Sequence, residues 1–459
     1  MSHSERSLWA ETALLPGGWA DGVRVTVVDG RIVQVRPATP PEAGDARVGV
    51  LLAAPMNAHS HAFQRAMAGL TERRGPEAQD SFWTWRDLMF RFLTQLTPDD
   101  VESITAFVQV ELLEAGYAGV CEFHYLHHQP DGTPYDALGE LATRIVAATH
   151  RTGAGLTLLP VLYEVGGCDG RPLAGGQRRF GNSPERFARL AEEAWGCVGS
   201  LPADAGVGLA PHSLRAVTLE GLAAAVTLAA DRPVHLHLAE QPGEVAEVLA
   251  AHGARPGEWL LDQVEVDARW TLIHCTQLMP HETQALAATG AVAGLCPLTE
   301  ASLGDGIFDA VGWLAHAGRF AVGSDSHIRI ALAEELRALE TSQRLRDHAR
   351  AVLATPAWST GRVLYEGILR GGAAAAGRAS GAIAPGRWAD LLALDATATA
   401  FVGRSGDTLL DTWIFSGDDR LVTDVWSAGR HVVTQGRHRD RPEIEARYRR
   451  TIARLQDLL

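Results

Sequence analysis

Lysine is missing altogether: all 41 basic residues of the 459-residue chain are arginine. Schiff-base chemistry, a phosphate loop closed by its lysine, and a two-metal centre bridged by a carbamylated lysine are therefore excluded. Cysteine is scarce as well, with five in the chain. Cys121, Cys168, Cys197, Cys275 and Cys296 are scattered and form no C-x-x-C pair, so they read as reduced thiols rather than disulfides or zinc-thiolate ligands. Long apolar runs are lacking too. Gly221–Ala230 comes nearest and stops at Asp231, short of the roughly 18 residues a membrane helix needs. The first twenty residues contain Glu5, Arg6 and Glu11 and no apolar core, so no secretory leader is expected and the cytoplasm is the expected compartment. Positive charge is in deficit, with a net charge of −14, which argues against nucleic acid or a membrane surface as partner.

What is present is ordinary globular material, 46% hydrophobic and 21% charged. Near the start, Arg24–Val28 and Arg31–Val35 flank Asp29-Gly30, a two-residue hairpin signal. Pro37 to Gly44 reads as a linker. From about residue 48, eight short apolar runs alternate with helical stretches: Val48–Ala54, Ala118–Phe123, Gly155–Tyr163, Gly206–Pro211, Pro233–Leu238, Thr271–Cys275, Ala291–Cys296 and Phe320–Gly323. Each run is continuous rather than alternating, as in parallel strands buried on both faces. Eight strand–helix units over roughly 300 residues predict an α/β fold, a (β/α)8 TIM barrel spanning 51–380. Residues 1–50 and 381–459 are expected to pair into a small β-sandwich-like domain. The last segment, with Ile444, Tyr448, Ile452, Leu455 and Leu459 on one stripe, predicts an amphipathic helix docked on its own subunit.

Chemistry-bearing residues fall at the predicted strand tips. His59 and His61 are two apart on an extended strand and so point to one side, where two imidazoles can meet one metal ion. His237 sits near the end of strand five with Glu240 just beyond; His235 lies one layer deeper and reads as a core histidine. His274 ends strand six and Asp325 ends strand eight. These tips form the face where barrel enzymes keep their active sites. His124, His127 and His128 after strand two read as structural rather than as another metal site.

This constellation resembles the one-metal deaminase branch of the amidohydrolase superfamily: H-x-H on strand one, H-x-x-E on strand five, His on strand six, Asp on strand eight. Ala384–Asp390 is similar to that superfamily's closing segment. Within the branch, the run His59–Leu70, together with Phe82–Arg86, Pro211–Arg215 and His237–Gln241, resembles the formimidoylglutamate deiminase family. The resemblance implies one Zn²⁺ per chain on His59, His61, His237 and Asp325. It implies hydrolysis of N-formimino-L-glutamate to N-formyl-L-glutamate and ammonia, a step of histidine degradation. It also implies Gln64, Tyr125 and His212 as substrate contacts. Barrels of the superfamily often pair, so a homodimer is open to the chain.

Three neutral imidazoles and a carboxylate suit zinc with a position left for water, whose pKa zinc lowers from about 15.7 to about 7. Asp325 is the natural acceptor of that water's proton, Glu240 can carry protons to the departing nitrogen, and His274 can orient the attacking oxygen. The long loop after strand one holds Arg73, Arg74, Trp83, Trp85 and Arg86. Arg86 and Arg215 can each offer a planar fork to a carboxylate, which suits a small dicarboxylate substrate. Arg178 and Arg179 are rival anion contacts. The alternatives are a deaminase of a nucleobase, nucleoside or related heterocycle on the same scaffold, and a catalytically dead binding barrel. The second would need a damaged metal set.

Overall fold

The computed structural model describes residues 5–72 and 82–456, the side chains of residues 82–84 excepted. Arg73, Arg74 and Trp83 of the long loop, and Leu459 of the last helical stripe, lie outside the described residues.

The apolar runs form the expected parallel strands. Met56–Ser60, Gly119–His124, Gly155–Leu162 and a fourth strand broken into Gly206–Val207 and Ala210–Pro211 make one arc. Val234–Leu238, Trp270–His274, Val292–Leu295 and Arg319–Val322 make the other. Isolated parallel bridges join the arcs at both seams: Leu209 to Val234 and Ser213 to His237 on one side, Ser60 to Asp325 on the other. The result is a (β/α)8 barrel drawn as two four-stranded halves. Every residue of strands one, two, three, five, six and seven is buried, which is why those runs show no alternation.

The helices start where their capping residues say they should. Before Pro98–Glu114, Thr97 and Asp100 exchange side-chain and backbone hydrogen bonds, Asp100 N to Thr97 Oγ1 at 3.3 Å and Thr97 N to Asp100 Oδ2 at 2.8 Å. The final helix, Arg441–Gln456, packs on Pro98–Glu114, with Tyr448 stacked on Phe107 at 4.0 Å between ring centroids. It docks on its own subunit, as expected.

Both chain ends meet in one eight-stranded mixed sheet. Its order is Arg437–His438, Arg430–Thr434, Val422–Ser427, Leu391–Leu394, Ala46–Ala53, Glu5–Leu15, Gly18–Val28 and Arg31–Arg36. The Asp29-Gly30 turn closes its hairpin with both residues at positive φ (49° and 80°), the type I′ geometry. The sheet curls on itself, so that Ile32 N donates to Arg387 O at 2.9 Å and Gly386 N to Ile32 O at 2.8 Å. One strand assignment needs correcting. Val48–Ala54 does not open the barrel; Ala46–Ala53 lies mid-sheet in this outer layer, parallel to Glu5–Leu15 and antiparallel to Leu391–Leu394. Its second half, Val50–Ala53, is fully buried, so its apolar run looks like a barrel strand. Met56–Ser60 is the true first strand.

Outer sheet and barrel are tied by a buried ionic network. Arg378 bonds Asp390 Oδ2 through Nε at 2.7 Å and Asp204 Oδ2 through Nη2 at 2.9 Å, while Arg430 also holds Asp204. Among the described residues, no helix is long and apolar enough to cross a membrane.

Candidate metal centre and active site

His59 and His61 come from the tip of strand one, and their Nε2 atoms lie 3.1 Å apart. His237 Nε2, from strand five, is also 3.1 Å from His59 Nε2. Asp325 Oδ1, just past strand eight, is 3.4 Å from His59 Nε2 and 3.3 Å from His61 Nε2. Donors about 3.3 Å apart are what a tetrahedral ion with ligands at about 2.0–2.1 Å requires. The tautomers agree. His61 Nδ1 donates to Phe123 O at 3.0 Å and His237 Nδ1 to His212 O at 2.9 Å, which leaves both Nε2 lone pairs facing His59. A single proton on His59 Nε2 could serve only one of its two close contacts, so a cation at the centre resolves the crowding better than hydrogen bonds do.

The electrostatics favour neutral ligands. Burial, reinforced by His59, pushes His61 down to about 3. Burial with neighbouring imidazoles takes His59 and His237 well below the ordinary histidine value. The site is held by backbone as well. Asp325 sits at φ 45° while its N–H donates to His59 O at 3.0 Å and its carbonyl accepts from His61 N at 3.1 Å. Between the two histidines, Ser60 Oγ donates to Glu122 and lies 2.8 Å from His327 Nε2.

Beside this cluster stand Glu240 and His274, with His274 Nε2 3.7 Å from Glu240 Oε1 and 3.9 Å from Asp325 Oδ2. Burial raises the Glu240 carboxyl to about 7, nearby Glu244 and Asp325 adding to the effect and His274 opposing it. Burial alone would depress His274; Glu240, Glu300 and Asp325 outweigh it and lift its pKa well above the ordinary value. His274 Nδ1 bonds Glu300 Oε1 at 3.2 Å, so its Nε2 is the end aimed at the chemistry.

These groups open onto a cavity whose wall includes Gln64, Arg86, Tyr125, His212, Arg215 and Tyr163. Every substrate-contact residue expected from the sequence is therefore in one chamber. Gln64 Nε2 donates to Tyr125 Oη at 2.7 Å. The Arg86 guanidinium lies over the Phe90 ring at 4.9 Å; burial lowers its pKa, with Arg215 among the lesser causes. Arg215 is itself buried, and its pKa nonetheless stays raised because Glu244 and Tyr163 counter the burial. His212 lines the chamber with its ring and orients His237 with its carbonyl.

His235 is a core residue, bonded through Nε2 to Ala375 O at 2.8 Å. His127 and His128 spend Nε2 on the carbonyls of Val161 and Gly181. Arg179 is no anion contact: it is buried and clamps the carbonyls of His128, Leu93 and Leu96. Three residues went unremarked in the sequence. Tyr163 directly follows strand three, at a tip position that could have flagged it. Glu300 and Asp305 follow strand seven, where the sequence shows no motif. Burial, then Glu240, push the Asp305 carboxyl up to about 9.

Residues 50–432 match the model of the Amidohydrolase family, and the chain belongs to that family. Residues 5–49 match the model described as Formimidoylglutamate deiminase HutF, N-terminal domain. The chain is 48% identical over 440 residues to the formimidoylglutamate deiminase of Pseudomonas aeruginosa, covering 94% of this chain and 95% of that one. Within the family it therefore groups with the formimidoylglutamate deiminases. The crystal structure of an amidohydrolase from Brucella melitensis superposes with a TM-score of 0.95 at 47% identity, over 98% of this chain and all of that one. An adenosine deaminase from Xanthomonas campestris, crystallised with bound zinc, reaches 0.81 at 22% identity over 98% of each chain, and shares the fold alone.

Proposed function

We propose that this chain hydrolyses N-formimino-L-glutamate to N-formyl-L-glutamate and ammonia, with one zinc ion held by His59, His61, His237 and Asp325. The observation that carries the reading is the meeting of His59 Nε2 with the Nε2 atoms of His61 and His237 at 3.1 Å and with Asp325 Oδ1 at 3.4 Å, beside a cavity whose wall carries two arginines. Zinc bound there supplies a Lewis acid and lowers the pKa of water.

The chain's own groups do the rest. Asp325 Oδ2 takes the proton of the attacking water. Oxygen adds to the formimino carbon, which becomes tetrahedral, and His274 Nε2 orients that oxygen and stabilises its charge. Glu240, with its carboxyl near 7, passes to the formimino nitrogen the proton taken from the water and the one the added hydroxyl gives up; the C–N bond breaks, ammonia leaves and the formyl carbonyl forms. Arg86 and Arg215 receive the two glutamate carboxylates as forks, and Gln64, Tyr125 and His212 fix the imidoyl end. The substrate partner is thus a small dicarboxylate. The net charge of −14 argues against nucleic acid and membrane surfaces as partners, and the cytoplasm completes the reading.

The test is ammonia release from N-formimino-L-glutamate, adenosine, guanine and cytosine, side by side. Turnover of the first alone supports the reading. Turnover of a heterocycle with none of the first replaces it with a nucleobase or nucleoside deaminase.

A further inference from the structure

Asp305 is 1% exposed, and its carboxylate has no role in the reaction above. One oxygen accepts from Gln241 Nε2; Oδ2 accepts no hydrogen bond among the described residues. A ligand atom of Asp305 lies within 4.8 Å of one on Glu240 and one on His274, and all three residues are buried. His274 spends Nδ1 on Glu300, which leaves Nε2 for this side, 3.7 Å from Glu240 Oε1. A buried carboxyl oxygen without a partner is costly whether or not the group is ionised. Two carboxylates and an imidazole are zinc's ordinary donors.

We propose that Glu240, His274 and Asp305 form a second zinc position, adjacent to the first and inhibitory. The inference rests on the reading above, in which Glu240 moves protons and His274 orients the attacking oxygen. The two positions are neighbours, since His274 Nε2 lies 3.9 Å from Asp325 Oδ2. The chain has no lysine to bridge a working two-metal centre, and an ion on Glu240 takes away the group that protonates the leaving nitrogen. Excess zinc therefore switches the enzyme off.

The experiment titrates zinc into enzyme carrying one equivalent, following bound zinc by equilibrium dialysis and ammonia release in parallel. Wild type is expected to take up a second equivalent as activity falls. D305N and D305S are expected to keep the first zinc, and the concentration for half-inhibition, scaled to each variant's own activity, should rise by about tenfold or more. Crystals of the wild type in excess zinc, read at the zinc absorption edge, should show a second peak among Glu240, His274 and Asp305, whatever the folding of the variants. A stoichiometry that stays at one while excess zinc inhibits, a second peak elsewhere, or variants inhibited like wild type would each overturn the proposal. Enzyme that never holds the first zinc would instead overturn the reading it rests on.

Discussion

His59 Nε2 and Asp325 Oδ1 stand 3.4 Å apart across the seam between the first and last strands of the barrel. The backbone closes the same seam, with Asp325 N donating to His59 O. Closure of the barrel at this seam thus brings His59 and Asp325 together. D325N keeps the size of the side chain and removes its charge. It should weaken zinc binding by about tenfold or more and abolish ammonia release, with the barrel's circular dichroism unchanged. Metal analysis after dialysis checks this; a variant that retains full zinc would remove Asp325 from the ligand set.

Glu240 is assigned to proton transfer and not to the ligand set of the first zinc. E240Q should retain zinc while kcat falls by about 10²–10⁴-fold, the usual worth of a positioned acid–base group. Full turnover by E240Q with normal zinc content would take Glu240 out of the mechanism.

Arg215 is buried in the cavity wall, so its charge acts on substrate with little screening. R215A should lower kcat/KM for N-formimino-L-glutamate by about 10–100-fold, the worth of a charge-assisted hydrogen bond of about 1.5–3 kcal/mol. R215K should recover little, because an ammonium cannot form the paired fork. Steady-state kinetics on a monocarboxylate analogue would show a smaller difference between wild type and variant if Arg215 meets a carboxylate.

Much of this site could be read from the chain because its residues sit at strand tips, where spacing and burial carry the same message. His59 and His61 share a face by the two-residue period, and His237, His274 and Asp325 each follow a recognisable apolar run. Val48–Ala54 misled because burial on both faces looks alike in a barrel and in the middle of an outer sheet. Arg179 misled because a side chain that caps carbonyls has no sequence mark separating it from one that meets an anion. Glu300 and Asp305 were illegible for another reason: each owes its place to His274 or Glu240, which the fold alone brings near.

The Asp204 carboxylate, held by Arg378 and Arg430, tests the scaffold apart from the chemistry. Burial would raise its pKa, yet the two arginines win and hold it below the ordinary aspartate range. A carboxyl depressed in the folded state stabilises the protein above its unfolded pKa of about 3.9, and that support is lost as pH falls through the lower folded value. D204N should cost about 3 kcal/mol near neutral pH and flatten this part of the acid limb, while kcat at low temperature stays that of wild type. Thermal melts from pH 2 to 7 measure both effects.

The most direct measurement is ammonia release from N-formimino-L-glutamate by protein stripped of metal with a chelator and then given back one equivalent of zinc. The account predicts no release from the stripped protein and full release on adding zinc. Turnover by the stripped protein, or none after zinc is restored, would contradict it.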